Sequence, residues 1–302
     1  MTNSESRRFK IKDLPKLLKD TLRRWLDSDP WRLSAIIAYY TVLSLPALLV
    51  IIINVIGSVW GQDIIEGELT QEFSSALGVD AAQSIETMIK ETQNPNKNLT
   101  STIIGIATLL FGSTGVFYHL QLSLNEIWGI EAVSTSKINI WGMLKKRARG
   151  FAFILVIGFL LLISLIVSTG ISLLNNYIRK LFPDIILYLA YFLDLCISLA
   201  IIATLFALMF KYLPDVKIKW RSVWVGGFLT AVLFVLGQSL MGYYFGKSNP
   251  GSTYGAAGTV VLILLWVSYS CLILFFGAQF TWVFAHYTGG GVQPNDHAVK
   301  TE

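Results

Sequence analysis

Asp194 stands nine residues into an apolar run, Ile185–Phe210, that contains no lysine or arginine. At the helical rise this places it about 14 Å along the axis, near the middle of a bilayer if the run crosses one. A carboxyl in that position either holds its proton or faces a polar cavity between helices, because a bare charge in hydrocarbon is expensive. The chemistry open to it is proton coupling or solute transport; the plainer alternative is a structural carboxyl bonded to hydroxyls of a neighbouring helix. Candidate partners are Tyr39, Tyr40, Asn125, Gln238 and Gln279, the polar side chains of the other apolar runs and their ends. A second irregularity lies in the segment Ala38–Pro46. Pro46 removes a backbone hydrogen bond and clashes with the preceding turn, freeing carbonyls near Val42 and Leu43. Such backbone is tolerated in a membrane only beside protein or water. The expectation is a local break bordering a cavity with Tyr39, Tyr40 and Ser44.

Other chemistry is missing from the pattern. The histidines, His119, His286 and His297, are not spaced with another His or Cys as a metal-ligand pair. No phosphate-binding loop, dinucleotide fingerprint or nucleophile elbow occurs. The expectation is a protein that is not an enzyme and has no cofactor, no metal and no catalytic residue. Cys196 and Cys271 lie inside apolar runs and suggest no disulfide framework.

The elements that must position these residues are membrane helices. The 302 residues are 54% hydrophobic and only 14% charged, against about 25% charged in a soluble domain, which excludes an ordinary soluble protein. Six runs reach the roughly 20 apolar residues a bilayer needs: Leu33–Trp60, Leu99–Leu120, Arg149–Leu174, Ile185–Phe210, Trp220–Phe245 and Gly255–His286. The first 32 residues are polar, the wrong order for a cleaved signal peptide. Outside the runs the amino-terminal tail carries nine Lys and Arg, and alternate loops and the carboxyl tail bring that side to nineteen against five on the other. The positive-inside rule then puts both termini in the cytoplasm. The net charge of +5 is thus a topology signal, and nucleic-acid binding is not expected from it.

The expected class is an all-α, polytopic membrane protein. It divides into a cytoplasmic basic tail at 1–32, a six-helix membrane domain at 33–286 and a cytoplasmic tail at 287–302. Within the first, Asp13–Leu26 reads as an amphipathic interfacial helix with Leu14, Leu17, Leu18, Leu22, Trp25 and Leu26 on one face. Lys16, Lys19, Arg23 and Arg24 edge that stripe, which suits an anionic inner leaflet or the ends of the bundle equally well. Asp27-Ser28-Asp29-Pro30 breaks this helix before the first span. The loop 61–98 holds seven acids and two lysines, and its apolar spacing predicts two short helices that cap the outer mouth. Gly112-Ser113-Thr114-Gly115 reads as close helix packing.

Four stretches carry a family resemblance. They are Ala35–Thr41 through Ser44 and Pro46; Leu124-Asn125-Glu126-Ile127-Trp128; Tyr212-Leu213-Pro214-Asp215 leading to Gly226-Gly227; and Tyr254-Gly255-Ala256-Ala257-Gly258 through Leu265-Trp266 to Gly277-Ala278-Gln279. In this order the chain resembles the YihY/BrkB family of bacterial inner-membrane proteins, once labelled ribonuclease BN. The resemblance implies six helical spans with both termini inside, and transporters or envelope-maintenance proteins linked to lipid handling. Two departures are Ile36-Ile37, where a pair of alanines is more usual, and Gln279, where many relatives have Glu. The function expected is a transporter or flippase-like protein for a lipid or amphipathic solute, with membrane lipids as partners. The alternative is a scaffold that binds a partner through its basic tail or acidic loop. A nuclease is not expected, because phosphodiester hydrolysis calls for clustered metal ligands. Substrate identity and oligomeric state are left open.

Overall fold

The computed structural model describes residues 9–44, 115–132, 185–248, 258–295 and 298–300, with single positions between 67 and 87. The expected span Arg149–Leu174, the break at Pro46, most of the 61–98 loop and the side chain of Asp194 lie outside the described residues. The described chain is mainly helical. A 3-10 turn at Ile11–Asp13 leads into α1, Leu14–Asp27. Two further helices follow: α2 over 30–44 and α3 over 115–127. The last three are α4 (Ile185–Tyr212), α5 (Trp220–Ser248) and α6 (Gly258–Tyr287). Four short strands complete the order: β1, Ile130–Ala132; β2, Val216–Lys217; β3, Gln293–Pro294; and β4, Ala298–Lys300.

Stretches of α4, α5 and α6 are long and apolar enough to cross a bilayer: Leu195–Tyr212, Trp220–Phe245 and Val260–Tyr287. Their outward faces are apolar too. Leu195, Phe228, Leu236 and Leu240 are all exposed, as befits helices whose solvent is lipid. The expected limits of these spans agree with the helices within a few residues. The run that ends at Leu120 continues into its polar end, with Gln121, Asn125 and Glu126 in helical backbone as far as Ile127. In the acidic loop the described positions Gly67, Thr70, Gln71, Ser74, Gln83, Glu86 and Thr87 are helical, and Thr87 Oγ1 donates to the Gln83 carbonyl at 2.9 Å. The apolar residues expected to form the cap lie outside the described set.

The chain divides into two compact units. One comprises Met1–Trp25, Leu124–Val235 and Phe276–Glu302, and the other Leu26–Ser123 and Leu236–Phe275. In the first, α4, α5 and α6 meet where the side chains are smallest. A Cβ on Gly226 would lie 1.8 Å from Thr281 Oγ1, and one on Gly277 would lie 1.8 Å from Thr230 Oγ1. Each threonine hydroxyl donates back to the carbonyl of the glycine on its own helix, Thr230 to Gly226 and Thr281 to Gly277, both at 2.7 Å. The two Gly-x-x-x-Thr segments therefore interlock reciprocally, with no hydroxyl left unpaired against lipid. Gly227 next door does the same for α4, since its Cβ would fall 2.8 Å from the Ala203 carbonyl and 2.9 Å from the Ala207 nitrogen.

At the polar end of this unit α1 packs along the last turns of α6. Leu17 is buried with Phe280, Val283 and Phe284, and Phe9, Leu14, Leu18 and Trp282 close around them. The leucine stripe of α1 is thus divided, with Leu22 and Leu26 about half exposed. Two glycines end helices in left-handed backbone, Gly129 (φ 65°) after α3 and Gly289 (φ 72°) after α6. At the latter, Gly290 N–H bonds the Ala285 carbonyl and Gly289 N–H the His286 carbonyl, which satisfies the last carbonyls of the helix. The chain beyond, expected as a plain tail, instead forms two antiparallel pairs. These are β3 with β2 (Val216 opposite Pro294) and β4 with β1 (Ile130 opposite Lys300).

The interlock generates a direct test. Gly226→Ala should cost about 1–3 kcal/mol, the usual penalty for overpacking, read as a lower unfolding temperature in detergent. Adding Thr281→Ala should recover part of the loss. Full stability of Gly226→Ala would contradict the close crossing.

Candidate functional site

Five consecutive residues of α6 each serve a different neighbour. Gly277 receives Thr230, Ala278 O accepts the indole N–H of Trp128 at 2.9 Å, and Gln279 Nε2 donates to the Ile127 carbonyl at 3.2 Å. Phe280 packs on Leu17, and Thr281 fills the space over Gly226. The Trp128 and Gln279 bonds run in opposite senses, so the last turn of α3 is clamped to α6 from both sides. Gln279 is 2% exposed, and its Oε1 has no hydrogen-bond partner among the described residues. The resemblance puts Glu here in many relatives; a glutamate would make the same bond to Ile127 O only while protonated.

One turn earlier on α3, Asn125 is paired with Asp215 through two bonds. Asn125 Nδ2 donates to Asp215 Oδ2 at 3.1 Å, and the Asp215 backbone N–H donates to Asn125 Oδ1 at 2.8 Å. The Asp215 carbonyl also accepts the N–H of Asn295 at 2.9 Å. Asp215 thereby ties α3, the α4–α5 turn and the carboxyl-terminal strands together. Asn125 is also a candidate partner of Asp194, whose side chain lies outside the described residues. Asp215 follows the end of α4 at Tyr212, about 27 Å along the helix axis from the backbone of Asp194 at 1.5 Å per residue.

Beside Asp215 the turn encloses a recess of about 370 Å³ lined by Lys211, Tyr212, Pro214, Val216, Lys217 and Asn295. Val216 and Lys217 alternate inward and outward along β2, as strand geometry requires. Lys211 Nζ donates to the Ile218 carbonyl and lies 5.7 Å from the centre of the Trp220 ring. Tyr212 and Trp220 meet edge to face at 5.9 Å, both substantially exposed. Lys211, Lys217 and Asp215 were readable only as loop charges. Asp215 is the single acid among four bases in 211–221, and that isolation was the available signal.

Tyr39, Tyr40, Ser44 and Gln238 belong to the second unit. There Tyr39 is 58% exposed and Tyr40 stacks on His119 at 4.1 Å between ring centres. Gly115 makes room for that ring, since a Cβ there would lie 2.9 Å from Tyr40 Cδ1. Ser44 is buried and donates to the Thr41 carbonyl at 3.2 Å. Gln238 lies on an exposed face of α5. Of the expected membrane-surface cations, Lys16, Lys19 and Arg23 are exposed on α1, whereas the guanidinium of Arg24 sits 3.6 Å from the centre of the Trp282 ring.

The family model described as Virulence factor BrkB matches residues 21–301. A UPF0761 membrane protein of Haemophilus influenzae is 24% identical over 260 residues, covering 85% of this chain and 90% of the relative. One from Verminephrobacter eiseniae is 24% identical, covering 88% of this chain and 61% of the relative. One from Pseudomonas aeruginosa is 29% identical, covering 70% and 49%. This chain therefore spans about half to three fifths of the longer relatives. No solved structure matches it. With the family model running over nearly the whole length and three bilayer-length apolar helices in place, the chain is a membrane protein that belongs to the BrkB family.

Proposed function

We propose that the protein is a six-span inner-membrane transporter or flippase-like protein for a lipid or amphipathic solute, not an enzyme, with both termini in the cytoplasm. The observation that carries this reading is the position of Asp194, nine residues into the 28-residue helix α4, which is otherwise uncharged as far as Lys211. An ionisable group at that depth is costly enough that a working role is the natural reason to keep it. The topology draws support from three segments of one unit: α1, which packs on the last turns of α6, and the α4–α5 turn and β3, which pair with each other. Those segments, with Lys211 and Arg221 at the adjoining ends of α4 and α5 and Lys300 on β4, carry nine of the nineteen cations counted on one side.

A scaffold reading is favoured by a different observation. Asn125, Trp128 and Gln279 spend their donors on Asp215, Ala278 and Ile127, which makes them joints between helices.

Two measurements decide. With Cys196 and Cys271 first replaced, single cysteines in Gly61–Asn98 should react with a membrane-impermeant maleimide on intact spheroplasts; reaction only after lysis would overturn the topology. Asp194→Asn should keep the unfolding temperature of the parent, because the amide retains most of the hydrogen bonding, yet abolish complementation in a deletion strain. Full complementation by that variant would end the proton-coupling version of the transport reading and move weight to the scaffold.

A further inference from the structure

We propose that the recess at the α4–α5 turn binds the phosphate-bearing headgroup of an anionic membrane lipid, whose acyl chains lie along α5. The inference rests on the reading above only in placing this turn at a membrane surface.

Charge is the first support. Two lysines, Lys211 and Lys217, line the recess, while Asp215 in the same turn is not among its lining residues and accepts from Asn125 through Oδ2. Lys211 uses one of its three N–H groups on the Ile218 carbonyl, which holds the ammonium in place and leaves two donors for an anion. Asn295 adds a neutral side chain from the opposite strand. A volume of about 370 Å³ falls at the small end of ligand sites, which run from about 300 to 1,000 Å³. That is room for a headgroup but not for a whole lipid.

Position is the second. The recess lies where two bilayer-length stretches end, Leu195–Tyr212 and Trp220–Phe245, and the exposed Tyr212 of its rim meets the exposed Trp220 edge to face, residue types that settle at headgroup depth. From that rim Trp220, Trp224 and Phe228 follow at intervals of four along α5. All three are exposed, at 42%, 45% and 54%. Residues four apart share a helix face, so an apolar track leads from the basic recess into the membrane. A soluble phosphate compound has no use for such a track, whereas a phospholipid fits both parts. Basic pockets at the ends of membrane helices are a known form of headgroup site.

The test uses the full chain purified in detergent, titrated by native mass spectrometry and thermal unfolding with phosphatidylglycerol, with zwitterionic phosphatidylcholine and with inorganic phosphate. Phosphatidylglycerol should remain bound and raise the unfolding temperature, phosphatidylcholine markedly less, and phosphate alone not at all. Lys217→Gln and Lys211→Gln should each weaken phosphatidylglycerol binding about fivefold, the change expected for one interfacial cation. Lys211→Arg should retain it, separating lost charge from a loosened turn. Lys247→Gln, at the other end of α5 where Lys247 meets Tyr243, should change nothing. Equal protection by phosphate alone would assign the recess to a soluble anion and overturn the proposal, as would unchanged phosphatidylglycerol binding in the double lysine variant. Asp194→Asn should bind phosphatidylglycerol like the parent, so failure of the transport reading and failure of this one give different results.

Discussion

The reciprocal seating of Thr281 on Gly226 and Thr230 on Gly277 is the constraint from which the rest of the first unit follows. In lipid there is no hydrophobic gain from bringing two apolar helices together; close packing and satisfied polar groups must supply the attraction. Both operate here, because each threonine methyl and hydroxyl fills the space that its partner glycine leaves, while the hydroxyl bonds its own helix. The crossing also fixes register. A slip of one turn would bring Thr281 against Ser222 or Thr230, hydroxyl to hydroxyl, with no vacant space to enter.

Because α5 and α6 are fixed there, the residues between Gly277 and Thr281 acquire defined directions, and the other elements attach to them. Trp128 and Ile127 dock on Ala278 and Gln279, and Leu17 docks on Phe280. Gly227, one step along α5, admits α4 at Ala203 and Ala207. The lysine-lined turn thus inherits its position from an all-apolar crossing through α4 and α5, whose ends it joins.

The helices were legible in the residues because length and apolar content alone define a bilayer crossing, so α4, α5 and α6 fell within a few residues of their expected limits. The break at Asp27–Pro30 was equally legible, since proline and a left-handed Asp29 (φ 49°) are local signals. Asn125 was legible as part of a polar end that carries the helix past Leu120, but its partner Asp215 lies ninety residues away. Pairing over that distance leaves no local trace. The same holds for β1 to β4, whose two- and three-residue strands are too short for alternation to register. The Gly-x-x-x-Thr spacings were visible, but which glycine meets which threonine depends on antiparallel register, and spacing does not encode it. Tyr39 and Tyr40 were grouped as neighbours in sequence, yet a helix turns adjacent residues about 100° apart, and only Tyr40 reaches His119.

Asn295 belongs to the recess and to the strand-paired tail at once: its side chain lines the cavity while its backbone N–H holds the Asp215 carbonyl. Occupancy and tail pairing are therefore thermodynamically linked. Whatever binds in the cavity more tightly when the tail is paired must strengthen that pairing by the same factor, and anything that draws the tail away must weaken the bound species equally. An event that changes the pairing of β3 with β2 would then be felt at the lysine-lined turn.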